Sequence, residues 1–288
     1  VTLTPPIEPM LAKLARDLPV DSYLYEPKWD GFRCMAFVSA DGVDLRSRNQ
    51  RPLARYFPEV VADLARLGAC VLDGELIAQR DGTPDFSALL ARLHPAQSRS
   101  EHLAVATPAT FVAFDALAVG EDNLMDREFS QRRARLEALF AEHHYAHVSL
   151  SAITADAAVA REWLAQSPRA GIDGVVAKPV GLRYEPGRRA MTKVKLERTV
   201  DCVVAGMRAY DGEAPALASL LLGLFDDDAV LRHVGVAASF RKPERVALFR
   251  ELAPLVVPLT QHPWREGSRS KAVRPDDCAA PPIAGRPR

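Results

Sequence analysis

Glu26-Pro27-Lys28-Trp29-Asp30-Gly31-Phe32-Arg33 sets a lysine two residues ahead of Asp-Gly, with an aromatic on either side of that pair. A lysine so placed reads as a nucleophile. Free lysine has a pKa near ~10.4, and as an ammonium it has no lone pair with which to attack. An apolar wall from Trp29 and Phe32 would desolvate the charge, and Arg33 would add like-charge pressure, so both favour the free amine. Read alone, the octapeptide also fits a surface lysine before an Asp-Gly hairpin turn. The sequence further along decides between the two.

The chain has 288 residues, enough for two domains with separate cores. Lys+Arg and Asp+Glu both number 37, so a nucleic-acid partner has to be met by a local basic face rather than by overall charge. Cys34, Cys70, Cys202 and Cys278 are widely separated with no C-x-x-C pair. That argues against a zinc site or a disulfide framework and suits core residues in a reducing compartment. No stretch approaches the ~18 apolar residues of a spanning helix, and a charged-then-apolar leader is lacking, so a cytoplasmic protein without a membrane partner is expected. His143 and His147 share helical spacing, but metal binding there would need a third ligand, and the segment 131–147 reads as a solvated helix.

Strand-length runs at 33–38, which alternates, and at 69–78 and 110–119 are bounded by turn residues. Helical patterns occupy 58–67, 85–93 with Asp85 or Ser87 as N-cap, 130–144 and 154–166. The mixture lacks strict alternation, which predicts an α+β architecture with antiparallel sheets. A boundary falls near Arg198. Beyond it, strand-like runs at 201–208, 218–225 and 230–237 precede a helix at 243–255 opened by proline, the order expected at the start of an oligonucleotide-binding β-barrel. From 265 to 288, six Arg/Lys and four prolines accompany almost no β-branched residues, a composition that predicts disorder. The expected division is therefore 1–198, 199–264 and a tail at 265–288, with a barrel short of two strands and an open edge.

Further motifs follow the lysine in a fixed order: Leu45-Arg46-Ser47-Arg48-Asn49, Leu72-Asp73-Gly74-Glu75-Leu76, Phe111-Val112-Ala113-Phe114-Asp115, Gly171-Ile172-Asp173-Gly174-Val175-Val176-Ala177-Lys178 and Thr192-Lys193-Val194-Lys195. With these the chain resembles the covalent nucleotidyltransferases, and among them the small bacterial ATP-dependent DNA ligases related to end-joining ligases, over residues 5–264. The resemblance implies a nucleotidyltransferase (adenylation) domain followed by an OB-fold domain. It implies ATP and Mg²⁺, or Mn²⁺, as cofactors. Nicked or broken double-stranded DNA would be the partner, with repair or end-joining proteins beside it, in a bacterial cytoplasm at the nucleoid. The reaction it implies is sealing through lysine-AMP and an adenylated 5′-phosphate. RNA ligases and capping-type guanylyltransferases share the lysine motif. The family's last motif, an Arg/Lys-rich strand that orients pyrophosphate, has no counterpart after His262-Pro263-Trp264. The alternatives are thus an RNA-joining or capping-type enzyme, or a nick-binding protein impaired in self-adenylylation.

Attack by Lys28 on an α-phosphorus requires an in-line leaving group and neutralised phosphate oxygens. Lys193 and Lys195, two apart on a strand, point the same way and can reach that phosphate. Asp173 and Glu75 each adjoin a glycine on an apolar strand, where a carboxylate needs a partner such as Mg²⁺ or a ribose hydroxyl. By resemblance Asp173, standing where the family usually has glutamate, supports the metal through a bridging water. Glu75 contacts the ribose and is the second metal candidate. Phe114 stacks on adenine while Phe111 is core, and Glu26 with the backbone around Lys28 reads the adenine amino group. Arg33 and Arg48 grip ribose, the terminal phosphates or the nick. Lys178 is expected to face a DNA phosphate or the adenylate. Arg183, Arg188 and Arg189, around Tyr184 and Gly187, form either a nucleic-acid track or a solvated loop.

Overall fold

The computed structural model describes residues 3–80, 83–94, 96–141, 144–170, 172–196, 199–210, 215–258, 262 and 264. The tail predicted at 265–288, with Cys278, and the histidine at 143 lie outside them. The chain divides into two compact units, Val1–Glu197 and Arg198–Arg288.

The first unit runs β1 (Leu11–Ala15), β2 (Tyr23–Trp29), β3 (Phe32–Ser39), β4 (Gly42–Ser47), α1 (Pro58–Leu64), β5 (Cys70–Arg80), β6 (Thr83–Pro84), α2 (Phe86–Ala91) and α3 (Gln97–Ala106). It continues through β7 (Ala109–Val119), β8 (Asp122–Asn123), α4 (Phe129–Phe140), β9 (Val148–Leu150), α5 (Ala157–Ala170), β10 (Ile172–Pro179) and β11 (Arg189–Val194). Strands β1-β11-β10-β2 form a four-stranded sheet; β4-β3-β5-β7-β8 form the spine of a larger one, with β6 on β5 and β9 on β7. The α+β class holds, but the sheets are mixed rather than purely antiparallel, because β1 lies parallel to β11 and β9 parallel to β7. The smaller sheet's reason is topological. β2 and β11 both run antiparallel to the central β10, so β1, joining the far edge beside β11, runs in the same direction as β2.

The two sheets pack face to face. Met35, Phe37, Val71 and Leu117 of the larger meet Met10, Tyr184 and Met191 of the smaller and its flanks. The other face of the smaller sheet buries Tyr25, Val175 and Ala177 against Ala160 and Trp163 of α5. The other face of the larger sheet packs Cys34, Ala36, Leu72 and Phe111 against Val60 and Leu64 of α1, Leu89 of α2 and Leu136 of α4. Helix, sheet, sheet and helices thus form successive layers. Strands β3, β5 and β7 are covered on both faces, so β5 and β7 read as apolar runs, and the alternation expected at 33–38 is corrected: Cys34 to Val38 are all buried.

Local chemistry sets most element ends. Asp85, not Ser87, caps α2: its carboxylate accepts from the Ser87 and Ala88 amides. Helix α5 begins at Ala157 rather than at 154, because Thr154 is held in a bridge to Tyr25 of β2. Helix α3 gives no signal in the sequence: its buried residue is Ser100 while Val105 is exposed, so it carries no apolar stripe to detect. The hairpin reading of Asp30-Gly31 is also corrected. β2 pairs with β10 and β3 with β4 and β5, so these two residues form a corner between sheets. A Cβ on Gly31 would collide with the Leu76 carbonyl, which is why glycine stands there.

The second unit contains β12 (Val203–Tyr210), β13 (Ala216–Phe225), β14 (Leu231–Ala237) and α6 (Lys242–Leu252). The strands form an antiparallel meander in chain order, and proline sits in the first turn of α6 as anticipated. Ala205, Leu221, Leu231 and Trp264 make one small core. Leu217, Leu220 and Leu252, with Leu248 and Phe249 of α6, make a second. A closed barrel is not formed by the described residues.

Candidate active site

A cleft of about 380 Å³ opens in the first unit, lined by both sheets. Lys28, Glu26, Arg33, Arg48, Glu75, Phe114, Lys193 and Lys195 all line it. Asp173 joins through its ion pairs.

The smaller sheet supplies the lysines. Val176 of β10 faces Glu26 on one side and Lys193 on the other. The β10–β2 register shifts between Ile172 and Val175, so Asp173-Gly174 form a bulge opposite Lys28. Gly174 has φ +137°, and a Cβ there would strike the Val194 carbonyl, so this bulge needs glycine. The bulge brings the Asp173 carboxylate 2.8 Å from Lys28 Nζ and into an ion pair with Lys195. Partial burial opposes ionisation of Asp173, but the two ammonium groups prevail and hold its carboxyl below the usual carboxylate range. Burial, then Lys195 and Lys28, push the Lys193 ammonium down.

The larger sheet supplies the opposite wall. Arg33 donates Nε and Nη2 to the two carboxylate oxygens of Asp73 at 2.6 and 2.7 Å. Asp73 is 0% exposed and also accepts the Tyr184 hydroxyl at 2.6 Å. That hydroxyl in turn accepts from the Met10 amide, while Arg33 Nη2 donates to the Met10 carbonyl. Burial and then Asp73 keep the Tyr184 phenol protonated far above its usual range. Beside this ring, burial pushes the Glu75 carboxyl up to about 7 against the pull of Arg33 and Lys28.

Phe114 reaches the cleft through a second irregularity. Gly74 opposes Ala113 and Asp73 opposes Asp115, leaving Phe114 as the extra residue of β7. Its ring carries the Arg33 guanidinium at 4.5 Å and Lys178 Nζ at 4.8 Å. Phe111, as expected, is core.

Glu26 is 2% exposed. One oxygen is 2.7 Å from Lys178 Nζ; the other, Oε1, lacks a hydrogen-bond partner and lies 3.6 Å from Arg133 Nη1. Burial raises the Glu26 carboxyl, and Lys178 and Arg133 oppose that rise.

Three expectations are corrected. Phe32 does not wall the lysine: successive strand residues face opposite ways, so Arg33 enters the cleft and Phe32, partly buried on the helix side, packs edge-on against Phe86. Of the two places expected for Lys178, the DNA phosphate is ruled out, since it is 2% exposed and engaged by Glu26, the Phe114 carbonyl and the Phe129 ring; it lines the cleft instead. Tyr184 is not a surface aromatic for nucleic acid, being buried with its hydroxyl on Asp73; Arg183, Arg188 and Arg189 around it are exposed, and Arg189 also lines the cleft.

Two residues of the site carried no role in the sequence reading. Asp73 was legible, since it lies two residues from Glu75 and so shares its face. Arg133 was not, because the partners that tie it to the site, Glu26 and Ser151, come from other elements, and its helical neighbour Glu137 reads as an ordinary surface pair. Among the described residues, no group of three or more His, Cys, Asp or Glu side chains could hold a metal alone. The donor chemistry instead fits a hard cation arriving with phosphate oxygens, which takes only one or two protein carboxylates.

Comparison with known proteins converges on one family. The family model described as ATP dependent DNA ligase domain matches residues 9–195. DNA ligase C2 of Mycolicibacterium smegmatis is 48% identical over 93% of this chain and 76% of its own. DNA ligase C of Mycobacterium tuberculosis is 48% identical over 90% of this chain and 74% of its own. Among solved structures, mycobacterial DNA ligase D complexed with ATP and MES superposes with a TM-score of 0.56 at 28% identity, covering 87% of this chain and 79% of that one. The chain belongs to the family of ATP-dependent DNA ligases.

Proposed function

We propose that this chain seals nicks in duplex DNA by three displacements at the one cleft, with Lys28 as the nucleophile. The observation that carries the reading is the convergence of Lys28, Lys193, Lys195 and Asp173 on one wall of a cleft whose other wall offers Arg33, Glu75 and Phe114. Lys28 Nζ attacks the α-phosphorus of ATP, forming a P–N bond as the bond to pyrophosphate breaks. A 5′-phosphate oxygen then takes the AMP from lysine, and a 3′-hydroxyl displaces AMP to close the strand.

The chain's own residues have distinct tasks. An ammonium cannot attack, so Lys28 must lose a proton and release Asp173. Lys193 and Lys195 neutralise phosphate oxygens at each displacement. Phe114 stacks on the base, Glu26 accepts from its amino group through the orphaned Oε1, and Glu75 bonds a ribose hydroxyl. Arg33 and Arg48 hold phosphate or ribose oxygens. Asp173, with Glu75 as the second candidate, would hold Mg²⁺ or Mn²⁺ together with the nucleotide's phosphates. When bound, the cation supplies charge neutralisation and orientation.

The first unit is assigned as the adenylation domain, and the second, from residue 199, as an oligonucleotide-binding domain. The RNA-joining and capping readings are disfavoured by relatives named as DNA ligases. No helix among the described residues is long and apolar enough to cross a membrane.

Intact mass before and after incubation with ATP and Mg²⁺, with Lys28→Ala as control, tests the reading. A gain of one AMP that depends on Lys28 is expected, followed by sealing of nicked DNA. No gain, in a chain that still seals pre-adenylated nicks, would confine the defect to lysine charging. Failure of both would favour the nick-binding alternative and overturn the proposal.

A further inference from the structure

Arg133 of α4 is buried beneath the base-reading end of the cleft and belongs to none of the ligase motifs. Its Nε pairs with Glu137 at 2.8 Å and one Nη2 hydrogen goes to the Ser151 carbonyl at 2.8 Å, but Nη1 has no hydrogen-bond partner. Nη1 lies 3.6 Å from Glu26 Oε1, which has none either. Ser151 meanwhile accepts Trp29 Nε1, so the same cluster fixes the strand that carries Lys28. A buried cation and a buried anion this close, each with an unused valence, hold each other's charge state without consuming the hydrogen bond that a ligand would take.

We propose that Arg133, together with Lys178, is a positioning residue that sets nucleobase specificity by holding Glu26 as a charged group that can only accept hydrogen bonds. This rests on the reading of the cleft as the ATP site with Glu26 facing the base. An acceptor-only carboxylate matches the exocyclic amino group of adenine and meets the O6 acceptor of guanine with repulsion. A protonated Glu26 would donate to that same O6. The groups that face Glu26 decide which form is present. Lys178 on β10 and Arg133 on α4 favour the anion, while Asp115 on β7 and burial favour the acid. Removing Arg133 shifts the balance toward the acid, and lowering the pH shifts it further.

The test incubates the full chain with ATP or GTP and Mg²⁺ and follows AMP and GMP adducts of Lys28 by intact mass. In Arg133→Met the preference for ATP over GTP should fall by about tenfold or more. It should fall further as the pH is lowered. Arg133→Lys, which keeps the charge, should restore much of the preference. A merely structural role would change both adducts alike and leave their ratio and its pH profile as in the parent chain. An Arg133→Met variant that labels with ATP at the parent ratio overturns the inference. Should that variant fail to fold, Glu26→Gln stands in its place: neutral and able to donate, it must lose the preference at every pH, and retention of it refutes the inference. Absence of AMP labelling in the parent chain would instead refute the ATP-site reading itself.

Discussion

Replacing Asp73 by asparagine would leave the Arg33 guanidinium facing a neutral amide at the floor of the cleft. In the parent, Asp73 accepts three strong hydrogen bonds, two from Arg33 and one from Tyr184, in a position with no solvent access. Breaking a buried pair by removing one partner typically costs ~3–5 kcal/mol, because the remaining charge stays uncompensated. The Arg33 side chain is 23% exposed and can recover some hydration, which places this case near the lower end, about 3 kcal/mol. For a domain of this size each kcal/mol moves the melting temperature by ~2–4 °C, so Asp73→Asn should melt about 6–12 °C below the parent. Tyr184→Phe removes one hydrogen bond to the same carboxylate and strands the Met10 amide, for about 1.5 kcal/mol or about 3–6 °C. Because both act on one ring of contacts, the double variant should fall short of the sum. Thermal unfolding of the four proteins measures all of this. An Asp73→Asn chain melting within about 2 °C of the parent, or a strictly additive double variant, would refute the claim that this ring holds the arginine wall.

Gly174→Ala should lower AMP labelling by about tenfold or more, since a side chain at φ +137° beside the Val194 carbonyl must undo the bulge that sets Asp173 against Lys28; labelling at the parent rate would show that the bulge is dispensable. Glu75 gives a pH dependence. Its folded-state pKa is raised to about 7, so the folded chain binds a proton that the unfolded chain has lost, and this contribution to stability disappears as the pH rises through about 7. Without divalent cation, the parent should therefore lose stability relative to Glu75→Gln between about pH 5 and pH 8, and parallel melting curves for the two would contradict it.

The site was more legible in the sequence than the sheets were. Lys28, Lys193 and Lys195 declare themselves through motif order and strand spacing, and all three line the cleft with Phe114, while Phe111 lies in the core. What failed were inferences that needed tertiary partners. Phe32 looked like part of the nucleophile's wall until the strand's alternation turned it to the helix side. Lys178 looked free for phosphate until Glu26 and two aromatic rings enclosed it. The parallel pairing of β1 with β11 links residues some 180 positions apart, which no local pattern encodes. Helix α3 was missed because a polar helix without an apolar stripe has no periodicity to find. Both bulges escaped notice too, since the extra residue of a bulge shows only against the partner strand.

The corner at Asp30-Gly31 has a bearing on how such a chain can vary. Lys28 and Arg33 stand on opposite walls of the cleft, yet only four residues of chain separate them, and two of these make the crossing from one sheet to the other. The gap between the walls is thus a matter of chain length as much as of packing. Insertions in the turn at 226–230 alter a loop. One extra residue at 30–31 would leave the pairing of β3 with β4 and β5 in place and be taken up by the crossing itself, loosening the span between Lys28 and Arg33. A change of length at the corner therefore alters the distance between the walls, whereas a substitution in place alters only their chemistry.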